Sequence, residues 1–114
     1  MTTSGARAEQ LAAQYLQQQG LKLLHSNYSC RYGEIDLILL DGITHVFAEV
    51  RLRSQSAYGG AAASIDARKQ AKIVRTAQHY LTTLKRMPPC RFDAVLMQET
   101  DMQKIEWLKG AFTL

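Results

Sequence analysis

Two apolar runs joined by a turn constrain the fold of this chain more than any other feature. The runs are Gly33–Leu40 and Phe47–Arg51, and the dipeptide Asp41-Gly42 follows the first of them. Glycine adopts a positive φ at no steric cost, and Asp-Gly between apolar runs is a strong signal for a β-hairpin turn. The pattern therefore predicts two neighbouring antiparallel strands at the centre of a sheet.

Both predicted strands carry acids in segments that are otherwise apolar enough to be buried. Side chains alternate between the two faces of a strand, so Glu34 and Asp36 share one face, and Glu49, Arg51 and Arg53 share another. A hairpin folded around the turn brings Asp36 near Glu49, with Arg51 beside them. Burial of ionised carboxylates is costly unless a cation or hydrogen-bond donors compensate.

These acids admit two interpretations. In the first, Asp36 or Glu49 forms a buried ion pair with Arg51 and serves a structural or partner-binding protein. In the second, the two acids hold a divalent cation, because Mg²⁺ prefers a few carboxylates and keeps several waters, which leaves room for a phosphate oxygen. Arg51 then faces the cavity where a scissile phosphate is bound.

The same residues resemble a nuclease signature. Asp36 followed by Glu49-Val50-Arg51 is similar to the motif of the PD-(D/E)XK superfamily, which includes restriction endonucleases and Holliday-junction resolvases. A longer set of segments resembles the YraN family of bacterial proteins, which is predicted to be nuclease-like: Gly33–Ile38, Phe47–Arg51, Lys69 with Tyr80-Leu81, and Arg91–Asp93. The resemblance runs from about Gly5 to Phe112. It departs from the family at Arg51, where a lysine is usual.

The resemblance implies a metal-dependent nuclease that hydrolyses phosphodiester bonds in DNA, including branched or structured DNA. It implies catalytic roles for Asp36, Glu49 and Arg51, with Mg²⁺ or Mn²⁺ held by Asp36, Glu49 and Glu9. Glu34 either orients a water or is only an acid at the strand edge. The alternative is a nucleic-acid-binding protein that keeps the fold and has lost the chemistry, because arginine cannot act as a general base. Resolvase-like relatives work as dimers, so a homodimer is also implied.

Helical periodicity predicts two main helices, at Ser4–Gln19 and about Asp66–Arg86, with Ser64 as a second possible start of the latter. The remaining strands are predicted at Leu21–Ser29, Thr44–Arg53, Arg91–Met97 and Lys104–Leu108. The element order is therefore αβββαββ. The resemblance selects an α/β fold with a restriction-endonuclease-like core, a mixed sheet of about five strands flanked by the two helices. The connecting stretch Ser54–Ala63 either overhangs the site or is a plain connector.

The second predicted helix carries a basic stripe opposite its apolar face. The stripe comprises Arg68, Lys72, Arg75, His79 and Arg86. Lys69 lies at its flank, on the edge of the helix that faces the core, and is a candidate second ammonium that reaches the site from the side. It is either a solvated face or a surface that follows a phosphate backbone, since no acid interrupts it. The predicted nucleic-acid contacts are Arg68, Lys69, Lys72, Arg75 and Arg53.

Composition bounds the class of protein. The chain has 114 residues, of which 46% are hydrophobic and 21% charged, and this is ordinary for one globular domain, here residues 1–114 with 1–4 disordered. The net charge of +4 permits a nucleic-acid partner but does not require one. No apolar run approaches the ~20 residues that cross a bilayer, and the segment Met1–Arg7 lacks the apolar core expected of a signal peptide. We expect a cytoplasmic protein with no membrane contact, in which Cys30 and Cys90 are free thiols.

Overall fold

A five-stranded sheet separates two helices in the computed structural model, which describes residues 4–53, 65–98 and 101–112. The elements in chain order are α1 (Ser4–Gln18), β1 (Lys22–Cys30), β2 (Gly33–Asp41), β3 (Thr44–Arg53), α2 (Ala67–Leu81), β4 (Cys90–Gln98) and β5 (Asp101–Phe112). The predicted order αβββαββ is confirmed.

The strands lie side by side in chain order, and one pair is parallel. β3 and β4 run in the same direction, whereas the other three neighbouring pairs are antiparallel. A parallel pair needs a long crossover connection, and α2 lies in the connection between β3 and β4. The sheet is therefore mixed, as predicted, and its order agrees with a restriction-endonuclease-like core.

The hairpin turn lies one residue later than predicted. Asp41 pairs with Thr44, so Gly42 and Ile43 form the two-residue loop, and Gly42 has φ of +63°. A hairpin loop of this length needs positive φ, and glycine supplies it without strain. The ladder runs back from this loop to the pair Leu37–Ala48, and the next opposed positions are Asp36 and Glu49.

Alternating residues of the central strands feed two apolar cores, one under each helix. On the α1 side, Leu16 packs with Val46 and Ala48. On the α2 side, Ile73 and Phe47 belong to the other cluster. The sheet is thus buried on both faces, which explains why β2, β3 and β4 read as continuous apolar runs rather than as alternating ones.

The second helix is shorter than predicted: it ends at Leu81 rather than at Arg86. Thr82 and Thr83 follow the last turn, and their hydroxyls donate to the carbonyls of His79 and Tyr80, both at 2.6 Å. Such side-chain bonds compete with helix continuation. Arg86 therefore lies outside the helix, and the basic stripe on α2 consists of Arg68, Lys72, Arg75 and His79.

Some predictions fall outside the described residues. These are the connecting stretch Ser54–Ala63, the alternative helix start at Ser64, the side chain of Arg53, and the first three residues of the segment predicted to be disordered. Ser4, the fourth, begins α1. Cys30 and Cys90 are both free thiols, as expected. Within the described ranges no helix is long and apolar enough to cross a bilayer.

Candidate functional site

The regular alternation of β2 is interrupted at Asp36. Ile35 packs in the cluster on the α2 side of the sheet, whereas Leu37 packs on the α1 side, although they are two residues apart. On β1, Asn27 lies between the residues that pair with Ile35 and Leu37, and its φ is +55°. Both strands therefore change face together, and this irregularity positions the Asp36 side chain.

Asp36 turns its carboxylate towards β3. Its Oδ2 accepts a hydrogen bond of 2.8 Å from the backbone amide of Val50, at the point where the ladder between β2 and β3 has ended. The carboxylate thus takes the place of a main-chain acceptor and is fixed beside Glu49, the residue that precedes Val50.

Glu49 is buried, with 3% of its side chain exposed, and its two oxygens have different surroundings. Oε2 lies 3.5 Å from Nζ of Lys69, which reaches it from α2. Oε1 is buried and has no hydrogen-bond partner in the structure. The cation next to Glu49 is therefore Lys69, and the ion pair with Arg51 that the sequence allowed is absent from the described part of the chain.

Burial and mutual repulsion make both carboxyl groups reluctant to ionise. Burial and, after it, the negative charge of Asp36 raise the pKa of Glu49 to about 7, and Lys69 and the nearby backbone amide of Asp36 offset only part of the rise. The pKa of Asp36 is also raised, mainly by burial, against the lowering effect of the Val50 amide. A positive charge between them relieves both costs, which is what a metal ion supplies.

The two acids line an open cavity of about 500 Å³ between β2 and α2. Three basic side chains of α2 line the same cavity: Arg68, Lys69 and Lys72. Glu34 lines it from β2. The close approach of strand and helix depends on Gly33, where an added Cβ would lie 3.2 Å from Oγ1 of Thr76. Its φ of +149° is also one that residues with a side chain rarely adopt.

Glu9 occupies a neighbouring groove rather than this cavity. It lies on α1 and lines a space shared with Asn27 and Leu37. Burial raises the pKa of Glu9, and the charge of Asp36 adds to the rise, so the two acids affect each other. No group of three or more His, Cys, Asp or Glu side chains within the described ranges is arranged to hold a metal ion. Asp36 and Glu49 are therefore a candidate pair of ligands rather than part of a larger ligand group, and Glu34 and Asp66 also line the cavity.

The other predicted site residues are dispersed. Arg51 is half-buried on the same strand as Glu49, two residues further on, and does not line the cavity. Arg75 lines a different cavity on the outer side of α2. Lys69 was predicted at the flank of the basic stripe, as a nucleic-acid contact and as a second ammonium that reaches the site from the side, and its Nζ does lie beside Glu49. Asn27 was not predicted at all. Helical periodicity gave the flank position of Lys69, but no sequence pattern indicated the left-handed backbone at Asn27.

A third buried carboxylate, that of Asp93, differs from Glu49 in its hydrogen bonds. Asp93 on β4 is completely buried, and it accepts two hydrogen bonds from Arg91, one from Nε1 of Trp107 and one from the Gly110 amide, at 2.9 to 3.0 Å. All four donors come from the protein itself. Asp93 is therefore a structural acid, whereas Glu49 keeps an oxygen that the protein leaves without a donor.

Comparison with known proteins places the chain in a family. Residues 8–97 match the profile described as "Uncharacterised protein family UPF0102". The chain belongs to this family. UPF0102 and YraN denote the same family, so the resemblance to the YraN family is confirmed. A UPF0102 protein of Nitrosomonas europaea is 56% identical over 95% of this chain and 92% of its own length. A UPF0102 protein of Methylobacillus flagellatus is 50% identical over 99% of both chains.

Proposed function

We propose that this UPF0102 protein is a metal-dependent DNA endonuclease that hydrolyses phosphodiester bonds, with Asp36 and Glu49 as its metal ligands. The proposal depends above all on one observation. Oε1 of Glu49 is buried without a hydrogen-bond partner, at a cavity that it shares with a second carboxylate and three basic side chains. A buried oxygen of this kind costs free energy in a purely structural protein.

The donor set fits a hard divalent cation. Two carboxylates with an open cavity leave several positions for water and substrate oxygens, which is the arrangement that Mg²⁺ favours and Mn²⁺ accepts. Such a cation, when bound, activates a water and stabilises charge on the phosphate. Asp36 and Glu49 hold it, and Glu49 must first lose its proton. Glu9, in the neighbouring groove, is an outer ligand of the metal site. Glu34 lines the cavity and orients a water.

The basic side chains then have separate tasks. Lys69 stabilises the ionised form of Glu49 and presents its ammonium to the scissile phosphate, because it is 41% exposed while lying 3.5 Å from the carboxylate. Lys72 and Arg68 line the same cavity and bind neighbouring phosphates. Arg51 binds phosphate further along β3. Arg51 replaces the usual lysine and keeps its charge at any physiological pH, so it serves binding rather than proton transfer.

Two measurements test the proposal. Calorimetric titration with Mn²⁺ should show binding by the wild type that is lost in Asp36→Asn and Glu49→Gln. A panel of four-way junction, flap, single-stranded and duplex DNA should be cleaved in Mg²⁺ or Mn²⁺ and left intact in EDTA. Asp93→Asn is the matched control, because it alters a buried aspartate that has its full set of protein donors, and its metal binding should equal that of the wild type.

The outcomes separate the proposal from its alternatives. Equal Mn²⁺ binding in the wild type and both site variants rejects the metal site. DNA binding without cleavage in either metal identifies a nucleic-acid-binding protein that has lost the chemistry. Absence of metal binding, DNA binding and cleavage leaves a structural or partner-binding protein.

A further inference from the structure

A second cavity, lined by aromatic rings and cations, lies on the outer side of α2 beside the turn between β1 and β2. Its volume is about 480 Å³, and its lining comprises Arg31, Tyr32, Arg75, Gln78, His79 and Thr82. Tyr32 is 36% exposed, and among the described Phe, Tyr and Trp residues it is the exposed one. Exposed aromatic rings among basic side chains are the surfaces on which proteins stack unpaired nucleobases.

The rings of this cavity are held in place by contacts beneath them. Nδ1 of His79 lies 2.7 Å from Oη of Tyr28, whose ring packs edge-on against Tyr80 at 5.2 Å. The Tyr32 and His79 ring centres are 6.2 Å apart. Arg31 donates to Oη of Tyr32 at 2.7 Å, with its guanidinium carbon 4.9 Å from the ring centre. Side chains ordered before binding lose less entropy when a ligand arrives.

The second cavity adjoins the carboxylate cavity through Gly33. Tyr32 lines one cavity and Glu34 the other, and Gly33 between them packs against α2 at Lys72 and Thr76. On the helix, Lys72 lines the carboxylate cavity and Arg75 lines the second one. These two residues are one turn apart, about 4.5 Å along the helix axis. A DNA strand whose phosphate is bound at Asp36 and Glu49 can therefore place a neighbouring nucleotide in the second cavity.

We infer that the second cavity binds an unpaired nucleobase, so that the substrate is DNA with single-stranded nucleotides beside the cleavage point. The inference rests on the proposed function, because the phosphates of the bound DNA strand pass along Arg75 and Lys72 to Asp36 and Glu49. Tyr32 stacks on the base, and Arg31 and His79 flank it. A continuous duplex keeps its bases paired and cannot fill the cavity without the cost of unpairing one.

The test compares a base-bearing strand with a strand that lacks bases. Fluorescence polarisation measures binding of labelled oligodeoxythymidine and of an abasic strand of equal length, in EDTA, to the full chain. Stacking on one side chain contributes ~1–3 kcal/mol per base, so the wild type should prefer the base-bearing strand by about tenfold. Tyr32→Ala should lose this preference and Tyr32→Trp should keep it. Ile43→Ala, an exposed apolar change at the β2–β3 loop, is the control and should also keep it.

Charge and stacking are separated by salt. Tyr32→Ala should leave the slope of log affinity against log salt unchanged, because no charge is removed, whereas Arg75→Gln should reduce it. Equal binding of both strands by the wild type, or a preference that survives in Tyr32→Ala, overturns the inference. If Mg²⁺-dependent cleavage of DNA is retained in that case, the inference fails alone. A wild type that shows the Tyr32-dependent preference and cleaves no DNA supports the base site and rejects the nuclease.

Discussion

At the scale of single residues, the proton on Glu49 decides when the candidate site is ready for a cation. Its pKa is about 7 in the folded chain, against 4.5 for an ordinary glutamate. The folded state therefore holds this proton more strongly than the unfolded state does between these two pH values. Stability of the metal-free protein must fall as pH rises from about 4.5 to 7, because ionisation is easier in the unfolded chain.

Glu49→Gln should remove the part of this pH dependence that Glu49 contributes, leaving that of Asp36 and Glu9, and should stabilise the metal-free protein at pH 8. The carboxylate costs of the order of 3 kcal/mol when ionised in place, and the isosteric amide carries no charge. Urea unfolding in EDTA at pH 5 and pH 8 measures the effect. Asp101→Asn, a matched change at an exposed pair with Lys104 on β5, should leave the difference between the two pH values close to that of the wild type. A variant less stable than the wild type at pH 8 would show that Lys69 outweighs the cost of burial.

Lys69 and Arg51 should affect different kinetic constants. Lys69 lies 3.5 Å from Glu49, so Lys69→Ala should lower kcat, by about 10²–10³ if it acts as a preorganised electrostatic group. It should also shift the onset of Mn²⁺ binding to higher pH, because Lys69 lowers the pKa of Glu49. Arg51→Ala should mainly raise KM, and Arg51→Lys should retain activity.

The control for this pair is Lys85→Ala, an exposed lysine that follows α2. Its kcat and KM should match those of the wild type. If Arg51→Ala lowers kcat as much as Lys69→Ala does, the division of tasks between the two cations is wrong.

The residue pair was accessible from sequence, but its detailed geometry was not. Strand alternation and the turn signal were enough to bring Asp36 opposite Glu49. They gave no indication that the strand changes face at Asp36, because that depends on the backbone of Asn27 on another strand. The orphan oxygen of Glu49 is likewise a property of packing, since a sequence does not show which donors reach a side chain.

At the scale of elements, substitutions on α2 test whether the protein binds DNA. Lys72→Gln combined with Arg75→Gln should flatten the slope of log affinity against log salt by about 1.8 on duplex DNA, at about 0.9 for each lost phosphate contact. Affinity should fall by the same factor for unrelated duplex sequences. Lys22→Gln combined with Lys104→Gln removes equal charge from exposed positions on β1 and β5 and should leave the slope almost unchanged. Equal slopes in both double variants would mark the stripe as an ordinary solvated face.

The type of each element was predictable because the local apolar pattern of the chain agrees with the structure that each segment adopts. Apolar residues at helical spacing placed α1 and the buried side of α2, including Ile73, Ala77 and Tyr80. The end of α2 was not predictable in this way, because the apolar pattern continues through Leu84. The hydroxyls of Thr82 and Thr83 bond to carbonyls of the last turn, and the amides of Thr83 and Leu84 make tighter bonds to the third residue before each. Helix ends depend on a few local hydrogen bonds, and these leave a weaker trace in sequence than the apolar period.

At the scale of the whole molecule, Asp93 connects strands that are distant in the chain. It accepts hydrogen bonds from β5 at Trp107 and Gly110, and its partner Arg91 also contacts Asp41 at 3.1 Å at the end of β2. Trp107→Phe keeps an aromatic ring, although a smaller one, and removes the indole N–H that donates to a fully buried carboxylate. The free energy of unfolding should fall by about 1–3 kcal/mol.

Urea unfolding measures this loss, and Mn²⁺ titration of the folded variant provides the control, because the carboxylate site lies on other residues. A matched substitution, Tyr15→Phe, alters the ring that packs against Trp107 without removing a donor to Asp93. It should cost less than Trp107→Phe. A loss of Mn²⁺ binding in Trp107→Phe would show instead that the two groups of residues are coupled.

The network around Asp93 also has a consequence for synthesis on the ribosome. Asp36 and Glu49 are both made by the time β3 is complete, but β3 still lacks its parallel neighbour, and Asp93 gains its last donor only when Gly110 has been added. At ~5–20 residues per second, several seconds separate these events. During that interval the nascent hairpin has an open apolar edge and two acids that repel each other, so early capture by a chaperone should increase the yield of folded protein.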